Sequence, residues 1–170
     1  ALAPDLVHLV DGLSKRVAPG LTVGFVVVPG DRVEAVSRAI RSGGWSAGGF
    51  ALEAAVRWIG DGTVERLVAA KRRDAARRRR LVAEELDGFA VRSHPSSYFA
   101  WWELPAPWRA DTFAAAARER GIAVTPGTAF AVGPGGAPGA VRLGLGSAPE
   151  PELARALSVL AAVARGGRAA

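Results

Sequence analysis

Apolar positions along the chain fall into two rhythms, runs that suit strands and three-to-four spacings that suit helices, and the two alternate. Residues 21–28 form a near-continuous β-branched run ended by Pro29-Gly30, which predicts a buried strand. Residues 5–10 are a shorter strand candidate that runs into the polar turn Asp11-Gly12-Leu13-Ser14-Lys15. Behind Asp31, a candidate cap, Val33, Val36 and Ile40 share one helical face until Ser42-Gly43-Gly44 stops it. A second helix is expected over about 48–59. The longest helical pattern covers 63–86, with Val64, Leu67, Val68, Ala75, Val82 and Leu86 on one stripe and the arginines mainly pointing away.

After Asp87-Gly88 the rhythm shortens. Residues 89–93 and 97–104 predict two strands with a turn at Pro95. A helix over 111–120 is stopped by Gly121, and strands are expected over 122–125 and 141–146. Ser147-Ala148-Pro149-Glu150 matches a capping box, opening a final helix to about Ala164. No repeat is evident. The mixture is α/β, with a boundary near Asp61-Gly62 separating residues 1–62 from a compact α/β domain over 63–170.

Composition narrows the function classes. The 170 residues are 49% hydrophobic and suit a folded protein with a substantial core. Without cysteine there is no disulfide framework and no thiolate metal site, and His8 and His94 alone do not make one, so no metal is expected. The longest apolar runs are too short to span a bilayer, no signal peptide shows, and a cytoplasmic setting is the default expectation. Methionine is absent even at position 1, which suggests a piece of a longer chain. Lys15 and Lys71 are the only lysines in a basic set of 22. The net charge of +6 is local: residues 66–80 carry eight basic side chains against Asp74, and the remainder is about −1.

Several residues could carry chemistry. Lys15 sits in a turn between two strand candidates, and a primary amine can form an imine with an aldehyde where a guanidinium cannot. A lysine in a turn is more commonly a solvated charge. Arg142 lies on a strand candidate, and a planar guanidinium can grip a carboxylate with two hydrogen bonds; the plain alternative is a surface arginine at a strand edge. Gly44-Trp45-Ser46-Ala47-Gly48 matches a nucleophile-elbow pattern, but a helix rather than a strand precedes it, so a glycine-rich turn between helices is the better reading. The basic run 71–80 could meet nucleic-acid phosphates or could simply be a solvated helix face. Residues 133–139 read as a flexible loop, not a phosphate loop, because a strand follows.

The segment Ser14-Lys15-Arg16-Val17-Ala18-Pro19-Gly20-Leu21-Thr22-Val23-Gly24-Phe25 resembles the lysine segment of fold-type I pyridoxal-phosphate enzymes, the aminotransferase family. The resemblance continues through Gly121-Ile122-Ala123-Val124-Thr125-Pro126-Gly127-Thr128-Ala129-Phe130 and Val141-Arg142-Leu143-Gly144-Leu145-Gly146. It implies the C-terminal part of such a protein: the end of the large-domain sheet over 1–62, then the small domain. By it, Lys15 holds pyridoxal 5'-phosphate as a Schiff base, Ser14 and Thr22 lie at the cofactor, and Arg142 receives the substrate carboxylate. Trp101-Trp102-Glu103-Leu104-Pro105 and the arginine-rich helix are most similar to the MocR-type (GntR-family) transcriptional regulators.

That subgroup implies an effector-sensing role for an amino acid or amine, a homodimer, and DNA binding through an upstream winged helix absent from this sequence. A transaminase fragment and a degenerate dimerisation scaffold are the alternatives. The chain departs from the family at two positions: Gly12 stands where a serine is common, and Thr22 where an arginine is. Losing that guanidinium from a phosphate site costs roughly 1.5–3 kcal/mol, so weak cofactor binding or none is expected.

Overall fold

Two short strands open the chain and pair antiparallel, β1 (Leu9–Gly12) against β2 (Gly24–Val27), with Leu9 opposite Val27 and Gly12 opposite Gly24. β1 begins later than the sequence pattern suggests, because the amides of Leu6 and Val7 both donate to the Ala3 carbonyl and turn the chain there. Between the strands lies one helical turn, α1 (Leu13–Arg16). A 3-10 turn over Gly30–Arg32 leads into α2 (Val33–Gly43), followed by α3 (Gly49–Gly60) and α4 (Thr63–Glu85). Asp31 does not cap α2: it sits inside the 3-10 turn and its carboxylate pairs with Arg32 instead.

The computed structural model describes residues 3–133, 136 and 138–166, and the chain divides into two compact units, Ala1–Ala70 and Lys71–Ala170. Pro134, Gly135 and Ala137 of the expected loop over 133–139 lie outside the described residues. The first unit gathers Leu13, Val17, Leu21 and Val23 with Ala55 of α3 and Val64 of α4. In contrast, α2 buries none of its residues, and Val33 and Ile40 remain about half exposed.

The second unit is built on a four-stranded antiparallel sheet of order β3-β4-β6-β5, where β3 is Ala90–Arg92, β4 Phe99–Glu103, β5 Thr125–Pro126 and β6 Ala140–Gly144. Period-two alternation buries Ala100 and Trp102 of β4 and Val141 and Leu143 of β6. They share a core with Phe113 of α5 (Ala110–Arg118) and Leu153, Leu157 and Leu160 of α6 (Glu150–Gly166). Trp102 meets Phe89 and Phe113 edge-on, and Trp108 meets Phe113 the same way while its indole N–H donates to the Ala164 carbonyl.

The strand expected over 122–125 shrinks to Thr125–Pro126. Gly121 adopts φ +75°, and the Ile122 amide bonds back to the Ala117 carbonyl, so the chain there closes α5 and the Ile122 amide is not free for a ladder. The capping box at Ser147 does not form either. α6 begins at Glu150, and the Glu150 carboxylate accepts a 3.0 Å hydrogen bond from Arg77 of α4 rather than reaching back.

α4 starts where Asp61 accepts a 2.9 Å hydrogen bond from the Thr63 amide. Its arginines do not all point away from the apolar stripe. Arg78 turns inward, donating to Asp74, to the Leu145 carbonyl at 2.8 Å and to the Ala148 carbonyl at 2.6 Å. Asp74 also accepts from Arg77 at 2.7 Å and from the Tyr98 hydroxyl at 2.9 Å.

Burial pushes the Asp74 carboxyl up, but hydrogen bonds from Arg78 and Tyr98 and the charges of Arg78 and Arg77 outweigh it, holding it below the usual carboxylate range. A carboxylate lowered by folding stabilises the fold above its unfolded pKa of about 3.9 and loses that contribution as the pH falls through the folded value. Acid titration of unfolding free energy should therefore show a loss beginning near pH 4 that is smaller in Asp74→Asn. Tyr98→Phe should cost about 1–2 kcal/mol in denaturant melts at neutral pH, since it removes one hydrogen bond to a charged acceptor.

Candidate functional site

Lys15 is carried by α1, and the neighbours of that turn explain its presentation. Leu13 and Val17 are buried in the first unit's core, the Val17 amide closes the turn on the Leu13 carbonyl at 2.7 Å, and the Leu13 amide is tied to the Val23 carbonyl at 2.9 Å. With those two residues turned in, Lys15 and Arg16 are left exposed and Ser14 half-buried. Arg16 is committed to Asp11, which also accepts from the Gly12 amide at 2.7 Å. The hydrogen bonds from Arg16 and Gly12 outweigh burial and keep Asp11 below the usual carboxylate range. Lys15 has no hydrogen bond or ion pair among the described residues, so its amine is unencumbered.

Gly12 and Thr22, the two positions that depart from the resembled pattern, differ in what the structure says of them. At Gly12 an added Cβ would stand 2.8 Å from the Val23 carbonyl oxygen and 3.3 Å from the Gly24 Cα, a clash with backbone that cannot swing aside. The close pairing of Gly12 with Gly24 thus leaves no room for a serine. Thr22 lies in the loop before β2, exposed between the buried Leu21 and Val23, whose amide and carbonyl bond to each other at 2.8 Å across it. Its hydroxyl is available to a ligand but brings no charge.

Arg142 belongs to the second unit. The alternation that buries Val141 and Leu143 turns Arg142 to the opposite face of the sheet, opposite Trp101 on β4 and Thr125 on β5. Its guanidinium carbon lies 4.7 Å from the centroid of the Phe99 ring and 4.7 Å from that of Phe130, and Trp101 meets Phe130 edge-on. No acidic side chain pairs with it among the described residues. A half-buried cation held by aromatic faces and lacking a carboxylate has donors to offer a carboxylate-bearing ligand. Phe99 and Phe130 were not singled out from the sequence. The period-two spacing of Phe99 and Trp101 could have flagged the first of them, whereas Phe130 arrives through a 3-10 turn over Gly127–Phe130 that carries no such pattern.

Arg142 is therefore in one unit, and Ser14, Lys15 and Thr22 are in the other. The competing motifs fare as their contexts predict. Ser46 follows helix α2 and Trp45, which has φ 62°, so the surroundings are not the strand-to-helix elbow that a nucleophilic serine needs. His94 accepts a hydrogen bond from the Ser96 amide at 3.1 Å. Among the described residues no cluster of His, Cys, Asp or Glu could hold a metal ion, and no helix is long and apolar enough to cross a membrane.

Comparison with known proteins gives this geometry a setting. The family model "Aminotransferase class I and II" matches residues 2–160. An uncharacterized HTH-type transcriptional regulator of Bacillus subtilis (strain 168), YdeF, is 29% identical over 133 residues, which is 78% of this chain and 29% of that protein. The multiple substrate aminotransferase of Thermococcus profundus superposes with a TM-score of 0.84 at 21% identity, covering 95% of this chain and 41% of that one. The kynurenine aminotransferase of Pyrococcus horikoshii, solved in complex with PMP, gives 0.82 at 23% identity, covering 98% and 42%. The fold is thus that of the C-terminal portion of fold-type I aminotransferases, and the chain spans less than half the length of the relatives it matches. With the family model matched across residues 2–160, the chain belongs to the aminotransferase class I and II family.

Proposed function

We propose that this chain is the C-terminal part of a pyridoxal-phosphate-binding, aminotransferase-like domain that senses an amino acid or amine within a MocR-type transcriptional regulator. Residues 1–62 would then be the end of the large cofactor-binding domain and 63–170 the small domain. The observation that carries the reading is Arg142, a half-buried guanidinium framed by Phe99 and Phe130 without an acid partner among the described residues. A carboxylate-bearing ligand is the partner that such a group lacks. The regulator half of the reading rests on the similarity to an HTH-type regulator over 78% of the chain.

The residues present fit one end of the cofactor better than the other. Lys15 Nζ, exposed and uncommitted, suits covalent attachment of an aldehyde. Ser14 and Thr22 would supply hydroxyls to the phosphate, and the Val23 backbone excludes a third at position 12. When bound, pyridoxal phosphate supplies an electron sink for the bonds at an amine-bearing carbon. Lys15 would hold the group through Nζ, and the same amine, when free, would be the residue able to carry a proton at the ligand. Arg142 would orient the ligand by its carboxylate. In a regulator, ligand binding there would bias conformation, whereas sustained amine transfer would mark an enzyme. Gly12 and Thr22 favour a second reading, a scaffold that has lost the cofactor.

The deciding experiment uses the full-length protein that contains this segment, incubated with pyridoxal phosphate, reduced with borohydride and peptide-mapped. The modified peptide should carry Lys15, and Lys15→Ala should abolish the adduct; no adduct in the wild type would leave the scaffold reading. Thr22→Arg should tighten cofactor binding about 10- to 100-fold, the equivalent of roughly 1.5–3 kcal/mol from one charge-assisted hydrogen bond. Gly12→Ser should give no such gain and should lower the melting temperature. Arg142→Gln should weaken the spectral response to amino acids about 10- to 100-fold while leaving the response to amines without a carboxylate nearly unchanged.

A further inference from the structure

The basic residues of α4 divide into two groups that do different things. Arg77 and Arg78 are spent inside the second unit, on Asp74, Glu150 and the carbonyls of Leu145 and Ala148. Asp74, the one acid among residues 66–80, is taken up by those two arginines and by Tyr98. One carboxylate shared by two guanidiniums leaves this stretch of the helix with a net positive charge. Arg72, Arg73 and Arg80 are exposed, and none has an acid partner among the described residues. Arg73 and Arg80, seven residues apart, lie nearly in line on the helix, separated by about 10.5 Å of its axis. That distance is roughly the rise of three base pairs along the axis of a DNA duplex.

We infer that Arg72, Arg73 and Arg80 form a contact surface for the phosphate backbone of DNA, used alongside an upstream helix-turn-helix domain. Two features separate this from a solvated helix face. The charge is concentrated, since residues outside 66–80 sum to about −1, so it does not reflect a uniformly basic protein. In addition, Asp74 is outnumbered by its own partners Arg77 and Arg78, and Arg72, Arg73 and Arg80 are left without an acid partner among the described residues, although Glu84 and Glu85 stand on the same helix only one turn further on. Guanidiniums without base-reading partners suit sequence-independent phosphate contacts, which position a protein on a duplex rather than specify its site. The inference rests on the regulator reading above.

The test is the salt dependence of binding by the full-length protein to a random-sequence DNA duplex long enough to extend beyond a helix-turn-helix footprint. Each phosphate contact adds about 0.9 to the slope of log affinity against log salt. Replacing Arg72, Arg73 and Arg80 together by Gln should lower the steepness by about 2 to 3 and weaken binding alike for all sequences. The same three residues changed to Lys should keep the steepness. A control that removes equal charge elsewhere, Arg109, Arg118 and Arg155 to Gln, should leave it nearly unchanged.

An unaltered slope in the first variant, or an equal fall in the control, overturns the inference while the regulator reading stands. Failure of the wild type to bind any duplex overturns the regulator reading and this surface with it. Thermal melts followed by circular dichroism in parallel report that each variant keeps its fold.

Discussion

A single carboxylate, Asp74, ties together most of what gives the second unit its form. Through Arg78 it connects α4 to the carbonyls of Leu145 and Ala148, the turn between β6 and α6. Through Tyr98 it reaches the residue that opens β4, and the Tyr98 hydroxyl also meets the Lys71 carbonyl one turn back on α4. Gly146 is part of the same arrangement, because a Cβ there would press on the Tyr98 ring at 3.3 Å. Half-buried ions of this kind are retained only when each is satisfied, and here each hydrogen bond fixes a different element against α4. The network thereby ties the turn between β6 and α6 to α4, beside the core that the apolar residues of both elements close.

The same sheet that builds the core presents the candidate ligand residue. On β6, Val141 and Leu143 face Trp102, Phe113 and Leu157, and the intervening Arg142 is forced to the other side. There the register brings it opposite Trp101 and beside Phe99. A slip of one residue would bury the guanidinium and expose the valine and leucine, so core packing guards the position of Arg142. Cation–π contacts stabilise such a group by about 0.5–1 kcal/mol each at exposed sites. They do so without consuming its in-plane donors, which distinguishes this setting from a salt bridge.

Much of this was legible in the sequence because it depends on local period. The apolar stripe of α4 except for Leu67, which is exposed, the alternation of β4 and β6, and the stops at Gly62, Gly88 and Gly121 follow from spacing and from backbone conformations that glycine adopts freely. What escaped depends on partners distant in sequence. Ser147 and Glu150 have the right spacing for a capping box, yet Glu150 is claimed by Arg77, 73 residues away. Residues 122–124 are β-prone, yet the Ile122 amide is used to close α5. The aromatic frame of Arg142 requires a register and a 3-10 turn together. Lys15 differs again: composition and period made it only a lysine in a turn, and its chemical interest came from the resemblance of the surrounding segment.

Gly12 shows how strand pairing and ligand binding compete for one place. Where β1 meets β2, the Val23 carbonyl accepts the Leu13 amide at 2.9 Å, and that bond starts the helical turn that presents Lys15. The same carbonyl oxygen lies 2.8 Å from where a side chain at position 12 would begin. The bond that positions the lysine is thus also the contact that excludes a hydroxyl three residues before it. A chain that adopts this tight pairing gains a firmly seated turn, with Leu13 and Val17 locked into the core, and loses one oxygen from the neighbourhood of the amine. Thr22 is held in the same loop by the bond between Leu21 and Val23, so it cannot move far to compensate. This chain's own contribution is therefore a firmly seated turn carrying the Lys15 amine, with Thr22 fixed in the loop before β2.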